Sequence, residues 1–195
     1  MNAPLQAIGL KMHAVEPDAV VLDVGCGTGS YLARYLEVGC RTFGIDASPA
    51  MLEQAKRRLA GRADLRLGDA TRLPYDDDSF DLVLATMFLH ELDPPAREPA
   101  LSEMARVIKP DGRVLVIDFS KGLLRGKGLV SRGLSLAAEM AAGRTHFRNF
   151  RAFMRSGGLP PLLGPAGLNV EQERTVSGGN LAVSLLLRTA GSGSG

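Results

Sequence analysis

Tryptophan is absent from this chain, aromatic residues make up only 5% of it, and two cysteines occur in 195 residues. Scarce aromatics leave few platforms on which bases could stack, which counts against a nucleic-acid partner. Two cysteines cannot build a disulfide framework and point to a reducing compartment. With a helix over residues 30–38, Cys26 and Cys40 would sit at its opposite ends, roughly 15 Å apart. A disulfide spans at most about 7 Å between Cα atoms, so both are expected as free thiols. No apolar run approaches the ~20 residues of a membrane span. The N-terminus lacks the basic-then-apolar pattern of a signal peptide, and a cytoplasmic location is the expectation. Net charge is only +2, yet residues 121–155 carry eight Lys or Arg against one acid, Glu139. The remainder is therefore net acidic.

The most informative feature present is the run from Val20 to Gly29, reading VVLDVGCGTG. Val20 to Val24 reads as a buried parallel strand with one acid, Asp23, inside it. Gly25, Gly27 and Gly29 then allow a sharp turn and a close ligand approach to main-chain N–H groups, with the positive end of a helix behind them. The spacing is G-x-G-x-G, and Ser30 stands where the dinucleotide fingerprint G-x-G-x-x-G/A needs its third small residue. A nicotinamide cofactor is correspondingly disfavoured.

Strands are expected at 20–24, 41–45, 64–68, 80–85 and 113–118. Helical spacing appears in Tyr31/Leu32/Tyr35/Leu36, in Met51/Leu52/Ala55/Leu59 and in Leu101/Met104/Val107/Ile108. Ser48-Pro49 supplies an N-cap followed by proline at the first helical position. Lys109-Pro110-Asp111-Gly112 stops a helix and turns into the next strand. Two strand-like runs, 168–176 and 180–188, flank Ser177-Gly178-Gly179 and predict an antiparallel hairpin. The expected fold is a doubly wound α/β domain over 1–190, with a mostly parallel seven-stranded sheet, helices on both faces and that hairpin at the end. Leu5, Ile8, Met12 and Val15 suggest a short amphipathic segment before the first strand. Residues 121–165 read as a helical, lid-like insertion, and 191–195 as a flexible Gly/Ser tail outside the fold.

Four signals fall at expected strand ends. They are the glycine loop; Gly44-Ile45-Asp46, an acid placed to accept from both hydroxyls of a ribose; Gly68-Asp69-Ala70; and the Val107–Val116 segment. Ligands of open α/β sheets bind beyond the carboxyl ends of the strands, so all four agree with one nucleoside-bearing ligand. Each acid also has a bland reading: Asp46 as a surface acid, Asp69 as a turn former, Asp76 to Asp78 as a solvated loop, and Asp81 as a brace at a strand start. Asp23 could orient the loop through its N–H groups or contact an amino group of the ligand.

With those motifs in that order, residues 18–120 resemble the class I S-adenosylmethionine-dependent methyltransferases. The likeness is greatest to the branch that includes the ubiquinone/menaquinone-biosynthesis C-methyltransferases. The resemblance implies that the glycine loop and Asp23 hold the methionine part of S-adenosylmethionine, that Asp46 binds the ribose, and that Ala47 lies near the adenosine. It further implies that Asp69 accepts from the adenine amino group while the Ala70 N–H donates to the ring. Met51 would pack on the adenine face, and Thr86 and Met87 would border the reacting methyl. The Asn-Pro-Pro-Tyr type motif of amide N-methyltransferases is missing, and Thr86-Met87-Phe88-Leu89 stands in its place. No three-cysteine set suits arsenic methylation, and no carboxylate cluster suggests a metal, so none is expected.

Methyl transfer needs a general base only where the acceptor must lose a proton. His90 is the first candidate, beside Glu91, and His146 the second, each equally readable as structural. In the insertion, Arg144, Arg148, Arg151 and Arg155 form one helical stripe beside Phe147, Phe150 and Met154. Upstream, Lys121, Arg125 and Arg132 lie opposite Leu123, Val130, Leu134 and Ala137. Basic amphipathic helices can rest on an anionic membrane or meet an amphiphilic substrate. The blander expectation packs both apolar stripes inward as a lid with the cations solvated. Methyl transfer to a small or lipid-like acceptor, such as a quinone precursor, polyketide-like ring or phospholipid amine, is the functional reading. A non-catalytic S-adenosylmethionine-binding module or partner subunit is its rival.

Overall fold

The computed structural model describes residues 3–123 and 128–189, so the expectations for Arg125 and for the tail lie outside the described residues. In chain order the elements are α1 (Ala3–Met12), β1 (Val20–Val24), α2 (Leu32–Val38), β2 (Arg41–Asp46), α3 (Pro49–Leu59), β3 (Asp64–Leu67) and β4 (Phe80–Thr86). There follow α4 (Pro94–Val107), β5 (Ile108–Phe119), α5 (Gly128–Ala142), α6 (Arg144–Ser156), α7 (Pro160–Leu163), β6 (Leu168–Val176) and β7 (Leu181–Arg188). One seven-stranded sheet runs in the order β3-β2-β1-β4-β5-β7-β6. The pairs among β1 to β5 are parallel, and β7 is antiparallel to both β5 and β6. The strand order reverses between β1 and β4, and that reversal opens a crevice at their carboxyl ends.

Burial on both faces explains the apolar strands. Leu22, Val24 and Val83 face one core with Met104, Phe150 and Phe153, while Val21, Leu82 and Leu84 face another with Tyr35 and Ile117. Ile8 and Met12 of α1 pack against the second core. Ser48 caps α3 as its sequence suggests, its Oγ accepting from the Met51 N–H at 3.3 Å, with Pro49 opening the helix. α2 is shorter than expected: it begins at Leu32 rather than Ser30 and ends after seven residues on Gly39, whose φ is 96°.

The Lys109-Pro110-Asp111-Gly112 turn is taken up inside β5. Pairing with β4 jumps from Phe80↔Ile108 to Leu82↔Arg113, so the turn is a bulge where the sheet meets α4. An added Cβ on Gly112 would lie 2.9 Å from the Phe80 carbonyl oxygen, too close for any side chain there. Asp81 braces this corner, accepting from the Val20 N–H at 2.8 Å and from Lys109 Nζ at 2.6 Å. Its two donors hold the carboxyl below the ordinary carboxylate range against the opposing effect of partial burial.

The segment between β5 and β6 corrects one expectation. α6 follows the lid pattern: Phe150 and Phe153 are buried and Arg144, Arg148, Arg151 and Arg155 are exposed. α5 is inverted. Its inward positions are polar, Ser131, Arg132, Ser135 and Glu139, while Leu129, Val130, Leu134 and Met140 face outward. Hydrogen bonds reverse the expected packing: Asn180 Nδ2 donates to Ser131 Oγ at 3.3 Å and Ser135 Oγ at 3.0 Å, and Arg132 donates to Asn180 Oδ1 at 3.2 Å. Arg132 also donates to the Ser120 carbonyl.

The inversion sets the expected stability effects. Phe153→Ala should cost about 3–5 kcal/mol, whereas Leu134→Ala should stay within about 0.5 kcal/mol in equilibrium unfolding. A large loss at Leu134 would show that this face is covered.

Candidate active site

A cleft of about 970 Å³ opens at the carboxyl ends of β1, β2 and β4. The glycine loop forms its floor. Gly25, Gly27 and Gly29 have φ of 70°, 51° and 70°, a region that glycine enters at little cost. Each meets a different neighbour. An added Cβ on Gly25 would lie 2.1 Å from a Phe88 ring carbon, and one on Gly29 would press on Leu59 of α3. Gly27 faces open space, so among the three it is the one that lets a ligand reach the backbone.

The loop is held by β2. The Gly25 and Cys26 N–H groups both donate to the Ile45 carbonyl, at 2.9 and 3.1 Å. The Gly27 N–H donates to Asp46 Oδ2 at 2.8 Å, and the Ser48 N–H to Asp46 Oδ1 at 2.8 Å. Asp46 therefore does the orienting that Asp23 had been a candidate to do. Asp23 is 1% exposed and neither of its oxygens has a hydrogen-bond partner. Burial first, then the nearby Asp46 carboxylate, raise its carboxyl well above the ordinary range. From the outer side Arg58 of α3 clamps the loop, its Nη1 donating to Thr28 Oγ1 at 2.6 Å.

The remaining residues singled out in the sequence are placed as follows. Ala47 and Met51 lie on the cleft wall at the start of α3, with Met51 40% exposed. Asp69 and buried Ala70 lie on the β3 side, where Asp69 Oδ1 also closes a turn by accepting from the Thr71 N–H at 2.8 Å. Thr86 ends β4 on the opposite wall. Met87 follows with φ 53°, held by its N–H bond to the Ile117 carbonyl at 2.7 Å. A left-handed non-glycine residue costs energy, and such strain concentrates where side chains must be aimed. Tyr31, Phe88, Glu91 and Leu92 complete the wall with no comparable sequence signal.

His90 does not fit the base role expected of it. The side chain is 1% exposed and is not part of the cleft wall. Nδ1 is 2.7 Å from Asp118 Oδ1, Nε2 is 3.5 Å from Glu139 Oε1, and the backbone N–H donates to Asp118 Oδ2 at 3.2 Å. Phe119 and Phe150 stack edge-on against the ring. Burial works against the imidazolium, but Asp118 and then Glu139 outweigh it and push the pKa up to about 10. An imidazolium at neutral pH has no lone pair with which to take a proton. His146, the second candidate, reaches the cleft from α6.

Beside this charge cluster sits Arg97, 2% exposed, which donates to the Leu92 carbonyl at 3.0 Å and the Asn149 carbonyl at 2.7 Å. Asn149 Nδ2 in turn donates to the Glu91 carbonyl at 2.8 Å. These bonds fasten α6 to the loop after β4.

A raised histidine pKa stabilises the fold fully below the unfolded value, about 6.5, and that contribution fades as pH climbs to the folded value. Stability should therefore fall between pH 6.5 and about 10 in the native chain, and the slope should flatten in His90→Gln, as measured by urea unfolding across that range. An unchanged slope would remove the charged histidine.

Comparison with known proteins places this geometry. Residues 22–116 match the family described as a methyltransferase domain. A demethylmenaquinone methyltransferase of Clavibacter sepedonicus is 39% identical over 124 residues, covering 63% of this chain and 49% of that protein. Another, of Paenarthrobacter aurescens, is 32% identical over 173 residues, covering 84% of this chain and 67% of that protein. The chain spans about half the length of the curated relatives it matches first. The structure of Burkholderia thailandensis 1,6-didemethyltoxoflavin-N1-methyltransferase with bound 1,6-didemethyltoxoflavin and S-adenosylhomocysteine shares the fold. Its TM-score is 0.66 at 21% identity, over 96% of this chain and 78% of that one. On its glycine loop, its strand order and these relatives, the chain belongs to the class I S-adenosylmethionine-dependent methyltransferases, in the ubiquinone/menaquinone-biosynthesis branch.

Proposed function

We propose that the chain transfers a methyl group from S-adenosylmethionine to a small amphiphilic acceptor of the quinone-precursor class. The observation that carries this reading is the open space at Gly27 directly beside the Asp46 carboxylate, at the strand-order reversal. Two of the relatives, named demethylmenaquinone methyltransferases, support the acceptor class. The cleft's apolar wall, with Leu67, Met87, Phe88 and Leu92, suits a flat hydrophobic ring.

The residues fit the cofactor. Each Asp46 oxygen accepts one backbone N–H and keeps a second acceptor position for a ribose hydroxyl. Asp23 is 1% exposed and lies behind the cleft lining, so its carboxyl sits beneath the glycine loop rather than on the cofactor-facing wall. Met51 and Ala70 would flank the adenine, and the second oxygen of Asp69 would accept from its amino group. When bound, S-adenosylmethionine supplies a methyl already activated on a sulfonium, transferred by in-line displacement. The protein's share is alignment and exclusion of water, and orientation of this kind can lower a barrier by ~7–11 kcal/mol. Thr86 and the strained Met87 border the transfer position. For an acceptor that must lose a proton, His146 and Glu91 are the wall groups able to take it.

Titration calorimetry should detect S-adenosylmethionine and S-adenosylhomocysteine, with Asp46→Ala weakening both by at least about tenfold. Comparable NADH binding would overturn the cofactor assignment. Labelled methyl transfer should follow with a short-chain demethylmenaquinone, ahead of phenol and phospholipid acceptors. Cofactor binding without transfer to any of them would favour a binding module instead. His146→Ala should lower kcat by about 10²-fold or more while leaving cofactor affinity unchanged. Full turnover in both His146→Ala and Glu91→Ala would eliminate a protein base.

A further inference from the structure

α5 turns its apolar side to solvent. Leu129, Val130 and Leu134 are 70%, 65% and 69% exposed, Met140 is 52% exposed, and Leu123 just upstream is 84% exposed. At 100° per residue these helical positions fall on one side, opposite Ser131, Arg132, Ser135 and Glu139. The orientation is held by the polar side. Asn180 joins Ser131 and Ser135, Arg132 joins Asn180 and Ser120, and Glu139 meets His90. Rotating the helix to bury its leucines would strand all of these groups. A contiguous exposed apolar face held in place this way calls for a covering surface.

Charge and area identify that surface. α6 packs beside α5 and exposes Arg144, Arg148, Arg151 and Arg155, and exposed Lys121 lies near the end of α6, its Nζ donating to the Arg155 carbonyl at 3.3 Å. Glu139, the acid on these two helices, points inward, and the acid reaching the arginine stripe is Asp93, 3.3 Å from Arg148. A face rimmed by cations repels a second copy of itself and attracts an anionic sheet. A fifteen-residue helix is roughly 22 Å long, and one side of it is too small by itself to supply the ~800 Å² per partner of a stable protein interface. For a bilayer, an apolar stripe flanked by arginines is sufficient.

We propose that α5 is an interfacial helix, its outward leucines entering the acyl–headgroup boundary of an anionic bilayer while the α6 arginines meet lipid phosphates. The membrane contact expected of residues 121–155 is thereby divided between two helices: α5 supplies the apolar insertion and α6 the electrostatic attraction. Glu139 of α5 lies 3.5 Å from His90, which stands between the cleft-wall residues Phe88 and Glu91 in the chain. The docking itself does not depend on which acceptor is methylated.

Vesicle co-sedimentation tests it with the full chain. Binding to vesicles of mixed phosphatidylglycerol and phosphatidylcholine should exceed binding to phosphatidylcholine alone and should weaken with salt. Combined Leu129→Ser, Val130→Ser, Leu134→Ser and Met140→Ser should reduce partitioning by at least about tenfold. Replacing Arg144, Arg148, Arg151 and Arg155 by Gln should do the same. Both sets should leave the thermal midpoint and S-adenosylhomocysteine binding in place, which separates this proposal from the methyl-transfer reading. The proposal is overturned if neither vesicle is bound, or if the α5 set leaves binding intact. A concentration-dependent dimer that the α5 set dissolves in analytical ultracentrifugation would assign the face to a second copy instead.

Discussion

The carboxylate of Asp46 and its own backbone carbonyl tie together the three loops of the cleft. Oδ2 takes the Gly27 N–H, Oδ1 takes the Ser48 N–H that opens α3, and the carbonyl takes the Gly68 N–H at 3.1 Å. Hydrogen bonds to a charged acceptor are worth about 1.5–3 kcal/mol each, more than neutral ones. One residue thereby orders the glycine loop and the β2–α3 turn through its side chain and the start of the loop after β3 through its backbone. It does so while keeping acceptor capacity toward the cleft, so positioning the site and binding within it draw on the same group.

A second polar system sits under the lid helices. His90 between Asp118 and Glu139, Arg97 on two carbonyls, and Asn180 on two serines all join α5 or α6 to the sheet's edge and the loop after β4. Buried charges rarely add net stability over apolar packing, yet breaking one partner of such a pair is costly. They therefore dictate orientation more than they add stability, and α5 shows the consequence. A helix with enough leucine to pack inward is held with its leucines outward because its serines, arginine and glutamate have specific partners.

Where the sequence was legible, one periodicity and one local reason coincided. Val20–Val24 is apolar because both faces of β1 are buried, Ser48-Pro49 starts a helix by local capping, and the hairpin returns at Ser177–Gly179. The positions of Asp46, Asp69 and Thr86 around one cleft follow from the parallel topology that the alternation implied. Illegible were the features made by residues far apart in the chain. Tyr31, Phe88 and Leu92 became cleft wall only once β1 and β4 were adjacent, and no local pattern marks them. His90, beside an acid, could be read from sequence either as a base or as a structural residue. Its fate depended on Asp118, 28 residues away, and Glu139 on another helix.

By itself the sequence determined the class of fold, the places of its strands along the chain and the glycine loop, because strand burial, turn chemistry and capping act between near neighbours. Tertiary structure alone decided which way α5 faces, that Asp46 rather than Asp23 holds the loop, and that His90 is enclosed between two carboxylates. Each of those outcomes turns on whether a polar group finds a partner when it leaves water. The cost of failing to find one is set by contacts across the fold, which no window of sequence contains.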